Sequence, residues 1–203
     1  MTSEGFRHLI EEKTDEELLG PCLRDEMVPY AFDLRPAAWD TFRNELALLL
    51  GVSRGDITVV GSGRFGYSMK PWSDLVPFKD SSDIDVAVVN ADLFDELWLS
   101  LLSAAYPRPP ITDKLGGWLE QRRKEVYTGW ITPPEIHLDW RIFGARAKPV
   151  LALRTRWFNA LQQVSRHPPR RHESIEGRLY RTWRHAELYH LNGFAALRQS
   201  LTE

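Results

Sequence analysis

The chain has 203 residues, 43% hydrophobic and 27% charged, with a formal net charge of −2. This composition suits a folded domain and excludes disorder and fibrous repeats. No apolar run approaches the roughly 18 residues that cross a bilayer, and residues 1–20 are too acidic for a signal peptide. The single Cys22 excludes an internal disulfide framework and a cysteine-based zinc site, so a cytoplasmic protein with no membrane partner is expected.

Residues 1–35 read as a helical extension. Thr14 and Glu17 have capping-box spacing ahead of a short helix that Gly20-Pro21 should stop. Pro36 opens a longer helix whose stripe is Trp39, Phe42, Leu46, Leu49 and Leu50, closed by Gly51. Ile57 to Val60 is a short β-rich run leading into Gly61-Ser62-Gly63, and Ile84 to Val89 is a second strand, apolar after Asp85. Helices are expected at Leu93–Ala105, before a proline-rich breaker at 106–110, and at about Thr112–Glu125. Glu135 to Phe143 alternates Ile136, Leu138 and Trp140 with Glu135, His137, Asp139 and Arg141, which predicts a third strand with one buried face. Two helices finish the chain, about Val150–His167 and Ser174–Leu201, separated by Pro168 to Arg171. The fold class expected is α/β (α+β): a small mixed β-sheet core at 36–148, packed with helices, and a C-terminal helical module at 149–203.

Charge is unevenly spread. Residues 1–40 hold 10 acids and 4 bases, and residues 151–203 hold 4 and 9. The acidic beginning and basic end can pair within the fold. Alternatively, Arg178, Arg181 and His185 on the last helix, with Arg170, Arg171 and His172 before it, offer a surface for nucleic acid or a triphosphate clamp.

The chemistry concentrates in Gly61-Ser62-Gly63 and Ser82-Asp83-Ile84-Asp85. In a strand, Asp83 and Asp85 share a face about 7 Å apart, and a cation between them removes their repulsion. Oxygen ligands at this spacing suit Mg²⁺ or Mn²⁺, which keep waters and accept substrate phosphates. The glycine-rich turn offers backbone N–H groups and the Ser62 hydroxyl to an anion. Together these make a place for a nucleoside triphosphate. Asp139 on the third strand is the natural third metal ligand, with Glu135 as its substitute. Arg64, Lys70 and Lys79 lie close enough in sequence to neutralise phosphates. Tyr67 and Trp72 are candidates to stack on a base, and His137 to assist proton transfer.

The set Gly61-Ser62, Asp83-Ile84-Asp85 and Asp139 resembles the nucleotidyltransferase superfamily that includes the DNA polymerase β-like enzymes. The resemblance covers residues 36–145. It implies that Asp83 and Asp85 bind two metals, that Asp139 binds the one activating the acceptor, and that Ser62 holds the terminal phosphates. The spacer from Ser62 to Asp83 is longer than in compact members, so residues 69–79 are expected to form a loop over the substrate. Antiviral nucleotide-second-messenger synthases and related bacterial defence enzymes share the Gly-Ser plus Ser-Asp-x-Asp arrangement, which makes bacterial defence or a toxin-type system one implied setting.

The activity expected is Mg²⁺-dependent transfer of a nucleoside monophosphate from ATP or another NTP to a hydroxyl of RNA, a nucleotide, a protein or a small molecule, with release of pyrophosphate. Two readings compete with it. One is a non-catalytic NTP-binding module of a defence or toxin–antitoxin pair, and the other is a nucleic-acid-binding protein that uses its basic helix.

Overall fold

The computed structural model describes residues 2–24, 27–32, 35–106, 113–166 and 174–202. Helices α1 (Ser3–Glu12) and α2 (Asp15–Leu19) open it. The capping box forms, with Glu17 N donating to Thr14 Oγ1 at 3.3 Å and Thr14 N to Glu17 Oε2 at 2.8 Å. Gly20-Pro21 does not stop the chain turning, because a wider π-helical turn runs on through Gly20–Arg24. Helix α3 (Pro36–Leu50) buries Trp39, Phe42, Leu46 and Leu50 and ends at Gly51, whose φ of 70° favours glycine.

Strand β1 (Ile57–Val60) leads into the single turn α4 (Ser62–Phe65). Strand β2 (Ile84–Val89) then runs antiparallel to β1. Helix α5 (Ala91–Ala105) starts where Asn90 Oδ1 accepts from Leu93 N at 2.9 Å. Helix α6 (Asp113–Thr128) continues past Gly116-Gly117 to the two-residue strand β3 (Trp130–Ile131). After it come α7 (Trp140–Phe143), α8 (Lys148–Val164), strand β4 (Ile175–Tyr180) and α9 (Trp183–Thr202). The expected breaker at 107–110 and the Pro168–Arg171 separator lie outside the described residues.

Two sequence expectations are corrected. Glu135–Phe143 is not a strand: Pro133–Glu135 form a 3-10 turn, residues 136–139 run extended, and α7 follows. The alternation is real, since Ile136 and Leu138 are buried and His137 is exposed. It records an extended segment lying on the core without joining the sheet. The strand is found instead in what reads as the start of the last helix. Ile175 and Leu179 are four apart, a spacing that fits both a helix face and a strand face. Gly177 between them, and Glu176, Arg178 and Tyr180 on the other side, complete the period of two.

The sheet order is β1-β2-β4-β3, with β2 and β4 parallel and the outer pairs antiparallel. The C-terminal part of the chain therefore supplies a central strand. One face of the sheet (Ile57, Val59, Ile84, Val86, Val88, Leu179) packs on α3, α5 and α8. The other (Val60, Ala87, Val89, Tyr180) is covered by α1, α2 and α9. Gly177 belongs to the first face, and a Cβ there would meet Trp157 Cζ2 of α8 at 2.8 Å.

Acidic beginning and basic end do pair. Arg198 of α9 donates to Ile10 O at 3.0 Å, to Lys13 O at 2.7 Å and to Asp15 Oδ1 at 2.5 Å. Arg24 and Glu187 form a second bridge. No helix of the described residues is long and apolar enough to cross a membrane.

Candidate functional site

Strand β3 pairs only with Leu179 and Tyr180 of β4. Where it stops, a cavity of about 710 Å³ opens beside the first half of β4. Gly61, Ser62, Asp85, Glu176 and Arg178 line it from the sheet. Tyr189 and His190 line it from α9, Phe158 and Gln162 from α8, and Met69 and Lys70 from the loop after α4.

The sheet register creates the acidic centre. Asp85 is the Cα partner of Val60 on one side and of Glu176 on the other. Strand geometry then places Asp83, Asp85, Glu176 and Arg178 on the same face. Asp85 is an exposed residue whose carboxyl sits on the concave cavity wall, flanked by β1 and β4. Partial desolvation at that wall first, then Glu176 and Asp83, push its pKa up to about 6, while Arg178 and Lys70 oppose the rise. A carboxyl raised in this way contributes stability in full below the ordinary carboxylate range and loses it as pH climbs through 6. A bound cation reverses that penalty. Asp83 accepts a hydrogen bond from the Ser174 hydroxyl.

Gly61 is required at the end of β1. Its φ of 64° suits glycine, and a Cβ would stand 3.2 Å from Asp85 Oδ2. The turn that follows brings the Ser62 side chain to the cavity wall. Gly63 is buried, and a Cβ there would meet Val59 Cγ1 at 3.1 Å, so it serves packing.

Several expected contacts lie elsewhere. Arg64 is buried, donating from Nε to Pro21 O at 2.7 Å and from Nη1 to Met27 O at 3.0 Å. It clamps the N-terminal segment to α4 and is not a cavity residue. Arg64→Ala should therefore lower stability by about 2–4 kcal/mol, since it removes charged hydrogen bonds to the Pro21 and Met27 carbonyls. Thermal denaturation measures the loss, and ligand binding in the cavity should survive it. Lys79 is exposed, and its backbone N–H donates to Ser82 Oγ at 3.0 Å, outside the cavity lining. Lys70 does line the cavity. Tyr67 stacks on Phe6 at 5.6 Å, Trp72 is 82% exposed, and His137 is not among the lining residues.

Asp139 does not join Asp83 and Asp85. It precedes α7, where Arg141 donates to it from N at 2.9 Å, Nε at 3.1 Å and Nη2 at 3.0 Å. Those bonds hold its carboxyl below the usual range. Glu176, missed because its segment reads as a helix, occupies the sheet position the third acid was expected to take. Arg178, expected on the last helix, lies on β4 and lines the cavity. Its guanidinium lies 4.6 Å from the Tyr189 ring centre and 5.1 Å from that of Trp130. His190 is held neutral, its pKa lowered to about 4 by burial and then by Arg178.

Among the described residues no three His, Cys, Asp or Glu side chains converge to hold a metal ion on their own. The donors nevertheless fit Mg²⁺ or Mn²⁺, which are commonly held by one or two carboxylates with water and substrate phosphates completing the shell. Glu176 and Asp83 crowd Asp85 with like charge, which a bound cation would offset. Comparison of the chain with family models, curated proteins and solved structures finds no match.

Proposed function

We propose that this chain is a divalent-metal-dependent nucleotidyltransferase with Asp83, Asp85 and Glu176 at its centre. The observation that carries the reading is the pairing of Asp85 with Glu176 on adjacent parallel strands, at a cavity wall shared with Gly61 and Ser62. Bound there, Mg²⁺ or Mn²⁺ would neutralise the triphosphate and favour ionisation of the attacking hydroxyl. The chain's own groups do the rest. Asp85 and Glu176 present carboxylate oxygens from two rigid strands, and Asp83, outside the cavity lining, adds negative charge on the same face. Ser62 donates its hydroxyl to a phosphate oxygen. Lys70 and Arg178 supply positive charge at the cavity wall.

In the reaction, the acceptor oxygen bonds to the α-phosphorus and its proton passes to cavity water. The bond from the α-phosphorus to the bridging oxygen breaks, and pyrophosphate leaves with that electron pair. A volume of about 710 Å³ accommodates a nucleotide.

The test is incubation with each α-labelled NTP in Mg²⁺ or Mn²⁺ and cell extract, followed by separation of nucleic acid, protein and small molecules. Labelled product with wild type, reduced at least about a thousandfold in Asp85→Asn (~4 kcal/mol in the barrier), is expected. Equal labelling by that variant would remove the site assignment.

A further inference from the structure

We propose that the outer face of α8 binds single-stranded nucleic acid, and that the acceptor of the transfer is the end of such a strand. The acceptor half of this statement rests on the nucleotidyltransferase reading of the cavity. Between Asp139 and Glu173 the sequence holds eight Arg and Lys and no Asp or Glu. Helix α8 lies within this acid-free stretch. It turns Trp157, Ala160, Leu161 and Val164 into the core. The opposite arc exposes Lys148, Phe158, Asn159, Gln162 and Arg166, with Arg154 half-buried at its edge.

Three features separate this face from an ordinary solvated one. First, its charge is uncompensated: Arg156 reaches Glu96 at 3.5 Å, but among the described residues no carboxylate pairs with Lys148, Arg154 or Arg166. Arg154 spends its Nε–H on the Pro134 carbonyl at 3.3 Å, leaving the rest of its guanidinium for a ligand. Second, Phe158 is 56% exposed, and among the described residues no aromatic ring stacks on it. Arg154, Phe158 and Gln162 follow one another at i, i+4 spacing, so a cation, a ring and an amide form one row. Third, Phe158 and Gln162 line the cavity, so the row begins where Asp85 and Glu176 open to solvent.

Phosphates along a positive track, with bases stacked on an aromatic ring, is the recognition chemistry of single strands. A helix of 17 residues offers about 25 Å of such track. The bases at and just before α9 are poor candidates, because Arg181, Arg184 and Arg198 are paired with Asp95, Glu187 and Asp15.

The test uses the full chain without NTP and fluorescently labelled strands of about 12 nucleotides, as RNA, as DNA and as a duplex, across about 50–300 mM salt. Expected is binding of the single strands that weakens steeply with salt, the tighter of RNA and DNA naming the source. Lys148→Glu with Arg166→Glu should weaken it at least about tenfold and flatten the salt slope. Phe158→Ala should weaken it about 5- to 100-fold while keeping the slope. Lys124→Glu on α6 is the charge control and should leave binding within about twofold, and melting curves verify that each variant is folded. Absence of binding at the lowest salt, indifference to the α8 substitutions, or preference for the duplex would overturn the surface. Label transferred only to protein or small molecules would overturn the acceptor. Strand binding through α8 with no labelled product anywhere would instead count against the nucleotidyltransferase reading alone.

Discussion

Glu176→Gln is expected to lower nucleotidyl transfer at least about a hundredfold (~2.7 kcal/mol in the barrier), while Asp139→Asn leaves it within about twofold. The two acids are distinguished by what already satisfies them. Asp139 is bound by three Arg141 N–H groups before α7 and lies outside the cavity lining. Glu176 lines the cavity beside Asp85 and raises the electrostatic cost of the Asp85 charge, a cost that a cation would offset. The amide keeps the volume and most of the hydrogen bonding of Glu176, so a loss of activity reads as loss of charge. Steady-state kinetics at saturating NTP, with melting curves for both variants, separates this from misfolding. Equal losses in the two variants would return the third ligand to Asp139.

The second large effect is structural. Trp157→Ala should destabilise the fold by about 3–5 kcal/mol, because a buried indole leaves a cavity that its surroundings fill only in part. Trp157 is 2% exposed and lies against the backbone of β4 at Gly177. Gly177→Ala should cost about 1–3 kcal/mol on its own, since its Cβ would come 2.8 Å from the ring. The double variant should be more stable than the sum of the two losses implies, by about 0.5–2 kcal/mol, as the added methyl enters the space the indole vacated. Chemical denaturation of the four proteins measures that coupling. Strict additivity would show that the helix–sheet contact is not the source of either loss. The contact bears on function because the α8 packing beneath Gly177 holds the strand whose neighbouring residue is Glu176.

Much of this was legible in the sequence. The capping box at Thr14, the stripe of α3 and both strands around the Gly-Ser and Asp-x-Asp segments formed where their local chemistry placed them. In each the signal is short-range: a cap, a period, a glycine whose φ no other residue adopts easily. Glu135, the expected substitute for Asp139, does line the cavity, but Glu176 was not legible, because its place depends on which segment completes the sheet, and that is decided by tertiary pairing. Residues 135–143 alternate as a strand should, yet Pro133-Pro134 turn the chain first and α7 ends the extended run at once. Ile175 and Leu179 satisfy two periods, and only pairing with β2 selects the strand. The mid-segment Gly177, costly inside a helix and needed under Trp157, was the available clue. Arg64 shows the converse error. Its place beside the glycine turn suggested phosphate, whereas its burial serves the chain's first helices.

The central claim is that Asp85 and Glu176 hold a divalent ion together with a triphosphate. Electron paramagnetic resonance of Mn²⁺ with a non-hydrolysable NTP tests it most directly. The account predicts bound Mn²⁺ in wild type and in Asp139→Asn, and weakened or absent binding in Asp85→Asn and Glu176→Gln. Binding that survives both of those substitutions, or is lost only with Asp139→Asn, would contradict it.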